Sequence, residues 1–318
     1  MRCCVCDARH TSRCPTSSGN SKGYKCLSKT AVQTFGLTAL VIFAFAGNSL
    51  LTRLALAPAE ISAAHFVGIR LISGAVMLAL LGVRRPREIV PRGADIPGIA
   101  SLLVYALAFT FAYTGLGAAT GALILFPTVQ LTLALTATLQ GTPPSGRART
   151  GLLIALVGLV LMLAPGATAP PPAAALSMAL AGIAWGVYTF QGRGAANPFA
   201  RTARNFIGAA PFALFVMLAF ASSTPSMRGV VLAIASGAIT SALGYVGWYA
   251  VLPRLNVATA GATQLLVPVI TAAGGLFWLR ETPSFALAAA AILILSGVWL
   301  TIGSPKRLSL PLNRPSAP

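Results

Sequence analysis

Long apolar segments alternate with short polar stretches along the chain. A helix needs about 20 apolar residues to cross the roughly 30 Å hydrocarbon core of a membrane. Ten segments are near this length and predict ten transmembrane helices, at Thr34–Leu56, Ile61–Val83, Asp95–Gly115, Ala119–Leu139, Thr150–Ala164, Ala173–Phe190, Asn205–Ala221, Gly229–Leu252, Ala258–Leu279 and Ser284–Ile302.

The apolar pattern favours helices over a transmembrane barrel. Barrel strands alternate apolar and polar residues over about ten positions, whereas Leu152–Leu163 is apolar on every side. Pro165-Gly166 and Pro170–Pro172, between the fifth and sixth segments, predict a turn. We therefore expect an all-α integral membrane protein.

Composition and charge support a membrane protein. Of the 318 residues, 56% are hydrophobic and only 9% are charged, with a mean hydropathy of +0.80. Soluble domains carry about 25% charged residues. The net charge of +18 would fit nucleic acid only if the basic residues shared an exposed face in a chain with few long apolar runs. We expect no nucleic-acid partner.

Most basic residues fall in the tails and in every second loop. Arg and Lys in short loops stay preferentially on the cytoplasmic side. We therefore predict a multi-pass protein of the bacterial inner membrane with both termini cytoplasmic and its basic loops against anionic lipid headgroups. The basic loops carry Arg84, Arg85, Arg87, Arg92, Arg147, Arg149, Arg193, Arg201, Arg204 and Arg254, and the opposite loops carry Arg228 and Arg280.

All five cysteines lie within the first 26 residues, before any apolar segment. Cys3, Cys4 and Cys6 lie close together, as in some metal or redox sites. Zinc sites, however, pair such cysteines with a second C-x₂₋₄-C, and Cys14 and Cys26 stand alone. We expect residues 1–30 to form a disordered polar tail, with no metal or cofactor.

The two halves of the chain share a pattern at an offset of 139 to 141 residues. Pro127 matches Pro268, and thirteen residues after each comes Gln140-Gly-Thr-Pro or Glu281-Thr-Pro. We predict five-helix repeats over 31–165 and 173–303, followed by a cytoplasmic tail over 304–318. Because five is an odd number of spans, the second repeat must be inverted. Inverted repeats with a site near the midplane are common in secondary transporters.

Several short motifs follow one another in a characteristic order. They are Gly47-Asn48 in the first span, Arg70 in the second, Leu-Val-Pro268, Leu279-Arg280-Glu281-Thr-Pro, and Ser296-Gly297-Val-Trp-Leu in the last. Over residues 34–303 this order resembles the drug/metabolite transporter superfamily, EamA type. The resemblance implies ten helices and export of amino acids, metabolites or drugs. The family usually has Glu where this chain has Gln140, so a role for that carboxylate falls only on Glu281.

Ionisable groups within a membrane are costly and often functional. At 1.5 Å per residue, Arg70 lies about 13 Å deep in the second span, and Asn48 lies at a similar depth in the first. Arg70 is either a substrate contact or a structural group bonded to helix carbonyls. Arg53, near a helix end, is expected to snorkel to the interface. The acids all lie in a tail, a loop or a helix end, which disfavours a pump driven by a midplane carboxylate.

Aromatic and amide side chains supply the other candidate contacts, with core packing as the alternative for each aromatic. Gln130 and Gln264 lie near carbonyls that Pro127 and Pro268 leave without an amide partner. They either satisfy a kink or face the substrate. The candidate substrate-binding residues are Asn48, Arg70, Tyr105, Gln130, Trp185, Tyr188, Tyr245 and Gln264, with helix kinks at Pro127 and Pro268.

The leading hypothesis is a secondary transporter that exports a small organic solute by alternating access, with no cofactor and no enzymatic activity. Its partners are the solute and membrane lipids, and a homodimer stays open. One alternative is an exchanger of anionic metabolites such as phosphorylated sugars. An alternative of a different class is a non-transporting scaffold or an enzyme acting on lipid, although no nucleophile motif or phosphate loop is present.

Overall fold

The computed structural model describes residues 29–163, 170–220, 222, 224–255, 257–264, 266–281 and 285–302. The predicted cysteine-containing tail, the predicted turn at Pro165-Gly166 and the C-terminal tail lie outside these residues. Within them, the regular secondary structure is entirely helical, with no strand. The predicted all-α fold is confirmed to this extent.

The helices follow one another with short connections. They are α1 (Lys29–Leu56), α2 (Ala63–Leu81), α3 (Ile96–Gly115), α4 (Ala118–Leu139), α5 (Gly146–Leu163), α6 (Pro172–Gly192), α7 (Pro198–Phe220), α8 (Met227–Ile234), α9 (Gly244–Val251), α10 (Val257–Gln264), α11 (Leu266–Trp278) and α12 (Phe285–Ile302). A π-helix, Ala235–Leu243, joins α8 to α9.

Seven helical stretches in the described ranges are long and apolar enough to cross a membrane. They are Gln33–Leu56, Ala63–Leu81, Gly93–Gly115, Ala118–Leu139, Pro172–Gly192, Pro198–Phe220 and Met227–Arg254, while Leu266–Trp278 and Ala288–Gly297 are apolar but shorter. Large apolar side chains are exposed on many of these helices, for example Phe43, Phe111 and Leu218. Such surfaces suit contact with lipid, and the chain is a multi-pass membrane protein.

α5 and α7 begin at least one turn earlier than the apolar pattern predicts. α5 begins at Gly146 rather than at Thr150, and α7 begins at Pro198 rather than at Asn205. The added turns contain arginines, which a helix tolerates where it leaves the hydrocarbon for the headgroup region. The uncharged segments therefore mark the hydrocarbon-spanning parts of these helices but not their full length.

Helix packing couples the first half of the chain (29–163) to the second half (170–302). α2 packs on α7 and on the π-helix, α3 and α4 pack on α6, α1 packs on the stretch from α8 to α9 and on α11, and α5 packs on α12. Small residues allow close approach at these contacts, as is usual between helices in membranes. Gly182 and Gly186 of α6, for example, lie against Thr128 and Thr132 of α4.

The π-helix lies directly against α2. A Cβ on Gly237 would overlap the backbone carbonyl oxygen of Arg70 and the hydroxyl of Ser73. Only glycine permits this approach, which brings the hydroxyl side chains of the π-helix next to the Arg70 side chain. π-Helical turns within α-helices occur frequently at functional sites.

Polar contacts hold the two halves together near helix ends. In the described ranges, each acidic side chain contacts a residue of the other half. The pairs are Glu60 with Arg228 (3.2 Å), Glu281 with Arg53 (3.1 Å), Asp95 with Arg204 (2.7 Å) and Glu88 with Asn197 (3.0 Å). These acidic side chains therefore form contacts between the halves near helix ends and not in the middle of the bundle.

Candidate functional site

Polar side chains from both halves meet inside the bundle around Asn48 of α1, which is 2% exposed. Its Oδ1 accepts a hydrogen bond from the Ser236 hydroxyl at 2.7 Å and lies 3.4 Å from the hydroxyls of Thr240 and Ser241. Its Nδ2 donates to the Tyr105 hydroxyl at 3.4 Å. Asn48 thus connects α1 and α3 to the π-helix of the other half.

Arg70 of α2 lies beside this cluster and is 1% exposed. Its Nε donates to the Ser241 hydroxyl at 3.0 Å, and its Nη2 donates to the Tyr245 hydroxyl at 2.9 Å. Its Cζ lies 5.5 Å from the ring centroid of Tyr105 and 5.1 Å from that of Phe109, distances at which an aromatic ring attracts a cation. Arg70 forms no ion pair within the described residues, so this cation is buried without a carboxylate.

The predicted aromatic residues form one continuous cluster with rings from both halves. The ring centroid of Trp185 lies 4.9 Å from that of Tyr105, 4.6 Å from that of Tyr245 and 5.4 Å from that of Tyr188. Phe45 adds an edge-to-face contact with Trp185 at 5.3 Å. The cluster forms an apolar wall next to Asn48 and Arg70.

A small cavity of about 10 Å³ opens onto these residues. Its volume corresponds to about one water molecule. It is lined by Phe45, Asn48, Ser49, Tyr105, Phe109, Leu125, Phe126 and Trp185. Two of its rings, those of Tyr105 and Phe109, are the rings that face the Arg70 guanidinium, so the cavity and the buried cation share a wall.

The predicted glutamines occupy different positions relative to the cavity. The Gln264 side chain accepts a hydrogen bond from Trp185 Nε1 at 2.9 Å and donates to the Ala260 carbonyl at 3.3 Å, which joins it to the aromatic cluster. Gln130 is buried against Gly261 of α10, and its Nε2 has no hydrogen-bond partner within the described residues. Neither glutamine lines the cavity.

The two matched prolines lie inside helices. Pro127 is buried in α4, and Pro268 is buried in α11. Each removes one backbone N–H from the helical hydrogen-bond ladder. In the described residues, the Gln264 side chain bonds to Trp185 and to Ala260, so its amide supports the aromatic cluster instead of the carbonyl that Pro268 leaves free.

Sequence reasoning missed the hydroxyl groups of the π-helix. Ser236 and Thr240 lie four residues apart, and Ser241 follows directly, in a segment otherwise composed of small and apolar residues. This spacing was a usable signal, because hydroxyls within a transmembrane helix often bond across to a neighbour. Phe45 carried no such signal, since a phenylalanine in the first span is equally suited to face lipid.

Arg53 is expected to snorkel to the interface, and the structure adds a charged partner to this expectation. The Arg53 side chain is only 21% exposed and pairs with Glu281 at 3.1 Å. It also donates to the Tyr113 carbonyl at 3.2 Å. Glu281 in turn accepts a hydrogen bond from the Ala118 backbone N–H at 2.8 Å, at the N-terminus of α4, where a negative charge is favourable. A carboxylate partner therefore accompanies this partly buried arginine.

The chain is similar in sequence to one transporter family and to two bacterial proteins. Residues 172–303 match the model of the EamA-like transporter family. The chain is 45% identical over 271 residues to an uncharacterized protein of Pseudomonas aeruginosa, covering 85% of this chain and 94% of that protein. It is 25% identical over 268 residues to a probable terminal-alkyne amino-acid exporter of Streptantibioticus cattleyicolor, covering 77% of this chain and 87% of that one.

The fold is also found in a protein of known crystal structure. That protein is 21% identical in sequence and superposes with a TM-score of 0.63, covering 84% of this chain and 97% of its own. At this level of identity, the similarity shows a shared fold.

Proposed function

This chain belongs to the EamA-type transporters of the drug/metabolite transporter superfamily, and from this premise we propose that it exports a small organic solute such as an amino acid, a metabolite or a drug. The observation that carries the proposal is the buried polar and aromatic cluster around Asn48 and Arg70. Both halves of the chain contribute to it, as alternating access requires of a substrate site.

We further propose ten transmembrane helices arranged as two inverted repeats. In the proposed repeats, α1, α2, α3 and α5 correspond to α6, α7, the stretch from α8 to α9, and α12. The contact of α3 with α6 then corresponds to the contact of α1 with the stretch from α8 to α9. The contacts of α2 with α7 and of α5 with α12 each join a helix to its own counterpart. The range that matches the family model, 172–303, supports a second repeat over 173–303.

A pair of arginines supports the same relation between the halves. Arg53, at the end of α1, donates to the Tyr113 carbonyl near the end of α3. Arg193, which is 140 residues later and follows α6 directly, donates to the Leu255 carbonyl at 3.2 Å, just after α9. The two bonds occupy equivalent places in the two proposed repeats and lie at opposite ends of the bundle in the proposed topology.

Transport in this arrangement proceeds by rocking of the halves around the central cluster. Contacts between the halves join Arg53 to Glu281 at one end and Asp95 to Arg204 at the other. The cavity of about 10 Å³ is too small for an organic solute. The halves must therefore separate at one end at a time to admit the solute and release it.

Coupling to an ion gradient through a carboxylate inside the bundle is disfavoured. The acidic residues of the described ranges bond near helix ends, and the buried cluster contains no Asp or Glu. Exchange and facilitated diffusion fit this composition. We place both termini in the cytoplasm of a bacterium, since the basic loops predict this orientation.

The first test is solute uptake into inverted membrane vesicles or solute efflux from cells that overexpress the protein. Extracellular metabolites in overexpressing and deletion strains identify the solute, and Arg70→Ala is then compared with the wild type. We expect Arg70→Ala to abolish most of the solute-dependent flux at normal expression. Unchanged flux would remove Arg70 from the site, and absence of any solute flux from the purified wild type would contradict transport.

A further inference from the structure

The Arg70 side chain contains one nitrogen that has no hydrogen-bond acceptor among the residues that the structure describes. Its Nε and Nη2 are hydrogen-bonded, whereas its Nη1 is buried without a hydrogen-bond partner in the described part of the chain. Leaving an N–H of a charged group buried and unpaired is destabilising. The structure therefore retains a vacant, positively charged donor within the proposed transport site.

The chain supplies no carboxylate to this donor among the residues described. The partners of Arg70 are two hydroxyl oxygens and the faces of Tyr105 and Phe109, none of which carries a full negative charge. The acidic side chains form their ion pairs elsewhere, as Glu60–Arg228, Glu88–Arg85, Asp95–Arg204 and Glu281–Arg53. An anion that enters with the solute would supply the missing counter-charge.

The side chains around Arg70 indicate which chemical groups would accompany the anion in the solute. Tyr105 and Phe109 face the guanidinium and also line the cavity, whose other walls include Phe45, Phe126 and Trp185. Arg70 does not itself line the cavity, and the Tyr105 and Phe109 rings connect its guanidinium to this apolar, largely aromatic space. In addition, Arg70 is the only cation of the buried cluster in the described residues, which matches one negative charge better than two.

We propose that the solute carries a single carboxylate, which accepts a hydrogen bond from Arg70 Nη1, and an apolar body that packs against Phe45 and Trp185. This inference rests on the proposed transport function and names its substrate class. A phosphate monoester with two charges would leave one of them without a buried partner. Simple monocarboxylates and α-amino acids share the chemistry proposed here, and the experiment separates them.

The test measures binding to the purified full-length protein in detergent, by tryptophan fluorescence and by thermal shift. The probes are 3-phenylpropionate and its neutral amide, which differ at the carboxylate only, together with phenylalanine, phenylalaninamide and phenyl phosphate. We expect each carboxylate to bind at least about tenfold more tightly than its amide and more tightly than phenyl phosphate. The stronger of 3-phenylpropionate and phenylalanine distinguishes simple carboxylates from amino acids.

Substitutions at Arg70 assign the effect to this residue. Arg70→Gln should remove the preference for carboxylate over amide, and Arg70→Lys, which keeps the charge, should retain part of it. Equal binding of acid and amide to the wild type, no binding of either carboxylate, or a preference that persists in Arg70→Gln would each overturn the inference. The comparison of acid and amide on the wild type holds even if a variant fails to fold.

Flux in proteoliposomes separates this inference from the function on which it rests. Carboxylate-selective binding without solute flux would support the anion site and contradict transport. Flux of neutral or cationic solutes, with no preference for carboxylates in binding, would support transport and overturn the carboxylate as the recognised group.

Discussion

At the scale of single residues, depth along a span identifies the two central polar groups, Asn48 and Arg70. Asn48 and Arg70 were expected near the bilayer centre and lie side by side, joined through Ser241. The sequence could not show which groups surround them, because these come from a segment about 170 to 190 residues away. The spacing of the hydroxyl residues marks them as candidates for contacts between helices, but no local pattern assigns them to Asn48 and Arg70.

Asn48 provides a stability prediction at this scale. Replacing it by Ala removes the acceptor for Ser236 and the donor to Tyr105, and leaves these hydroxyls buried. We expect Asn48→Ala to lower stability by about 1 to 3 kcal/mol, measured as a fall in melting temperature of the purified protein. Ser296→Ala is the control, because that hydroxyl is exposed and bonds only within its own helix. Equal melting temperatures for the two variants would contradict the role of Asn48.

At the scale of elements, the apolar segments predicted most helices closely and their polar ends less well. α2 and α3 fall within a few residues of the predicted spans, since a run of apolar residues measures the hydrocarbon thickness directly. The π-helix at Ala235–Leu243 was not predicted. It packs against α2, and no residue type in the segment specifies i→i+5 bonding.

The close approach of the π-helix to α2 leads to a second prediction. Gly237→Ala should force the π-helix away from Arg70, because the added Cβ would overlap a backbone carbonyl that cannot move independently. Overpacking of this kind costs about 1 to 3 kcal/mol, and we expect a lower melting temperature together with reduced flux. Gly36→Ala is the matched control, since a Cβ there meets no atom within 4 Å. A Gly237→Ala protein as stable and active as Gly36→Ala would show that this contact is dispensable.

At the scale of the whole molecule, the repeat offset predicts which residues of the first half correspond to which residues of the second. It does not predict which charged side chains form ion pairs between the halves. Gln140 and Glu281 were matched by sequence, yet only Glu281 has a charge to offer, and it pairs with Arg53. Arg193 is the equivalent of Arg53 by offset. It has an Nη1 without a partner in the described residues, and burial lowers its pKa. The two equivalent arginines therefore differ, since only Arg53 has a carboxylate partner within the described residues.

This difference between the two arginines predicts opposite effects of two substitutions on stability. Glu281→Gln should lower stability by about 1 to 2 kcal/mol, between the values for exposed and buried ion pairs, because Arg53 loses its counter-ion. Gln140 is the counterpart of Glu281 in the proposed repeats, so Gln140→Glu should supply Arg193 with a carboxylate and raise the melting temperature. Both are measured on the purified protein, at low and at high salt. A stabilising Glu281→Gln or a destabilising Gln140→Glu would contradict the equivalence of the two sites.

The central claim is that solute passes through the buried cluster by alternating access. The most direct test is chemical labelling of a cysteine in the cavity, with the reagent added from each side of the membrane in turn. Ser49→Cys, in a background with the five native cysteines replaced, changes one atom in the cavity wall. Thr202→Cys, which is buried outside the cavity, is the control. We predict that a membrane-impermeant thiol reagent labels Ser49→Cys from both sides, that transported solute slows the labelling, and that Thr202→Cys stays unlabelled. Labelling of Ser49→Cys from one side only, or from neither, would contradict the account.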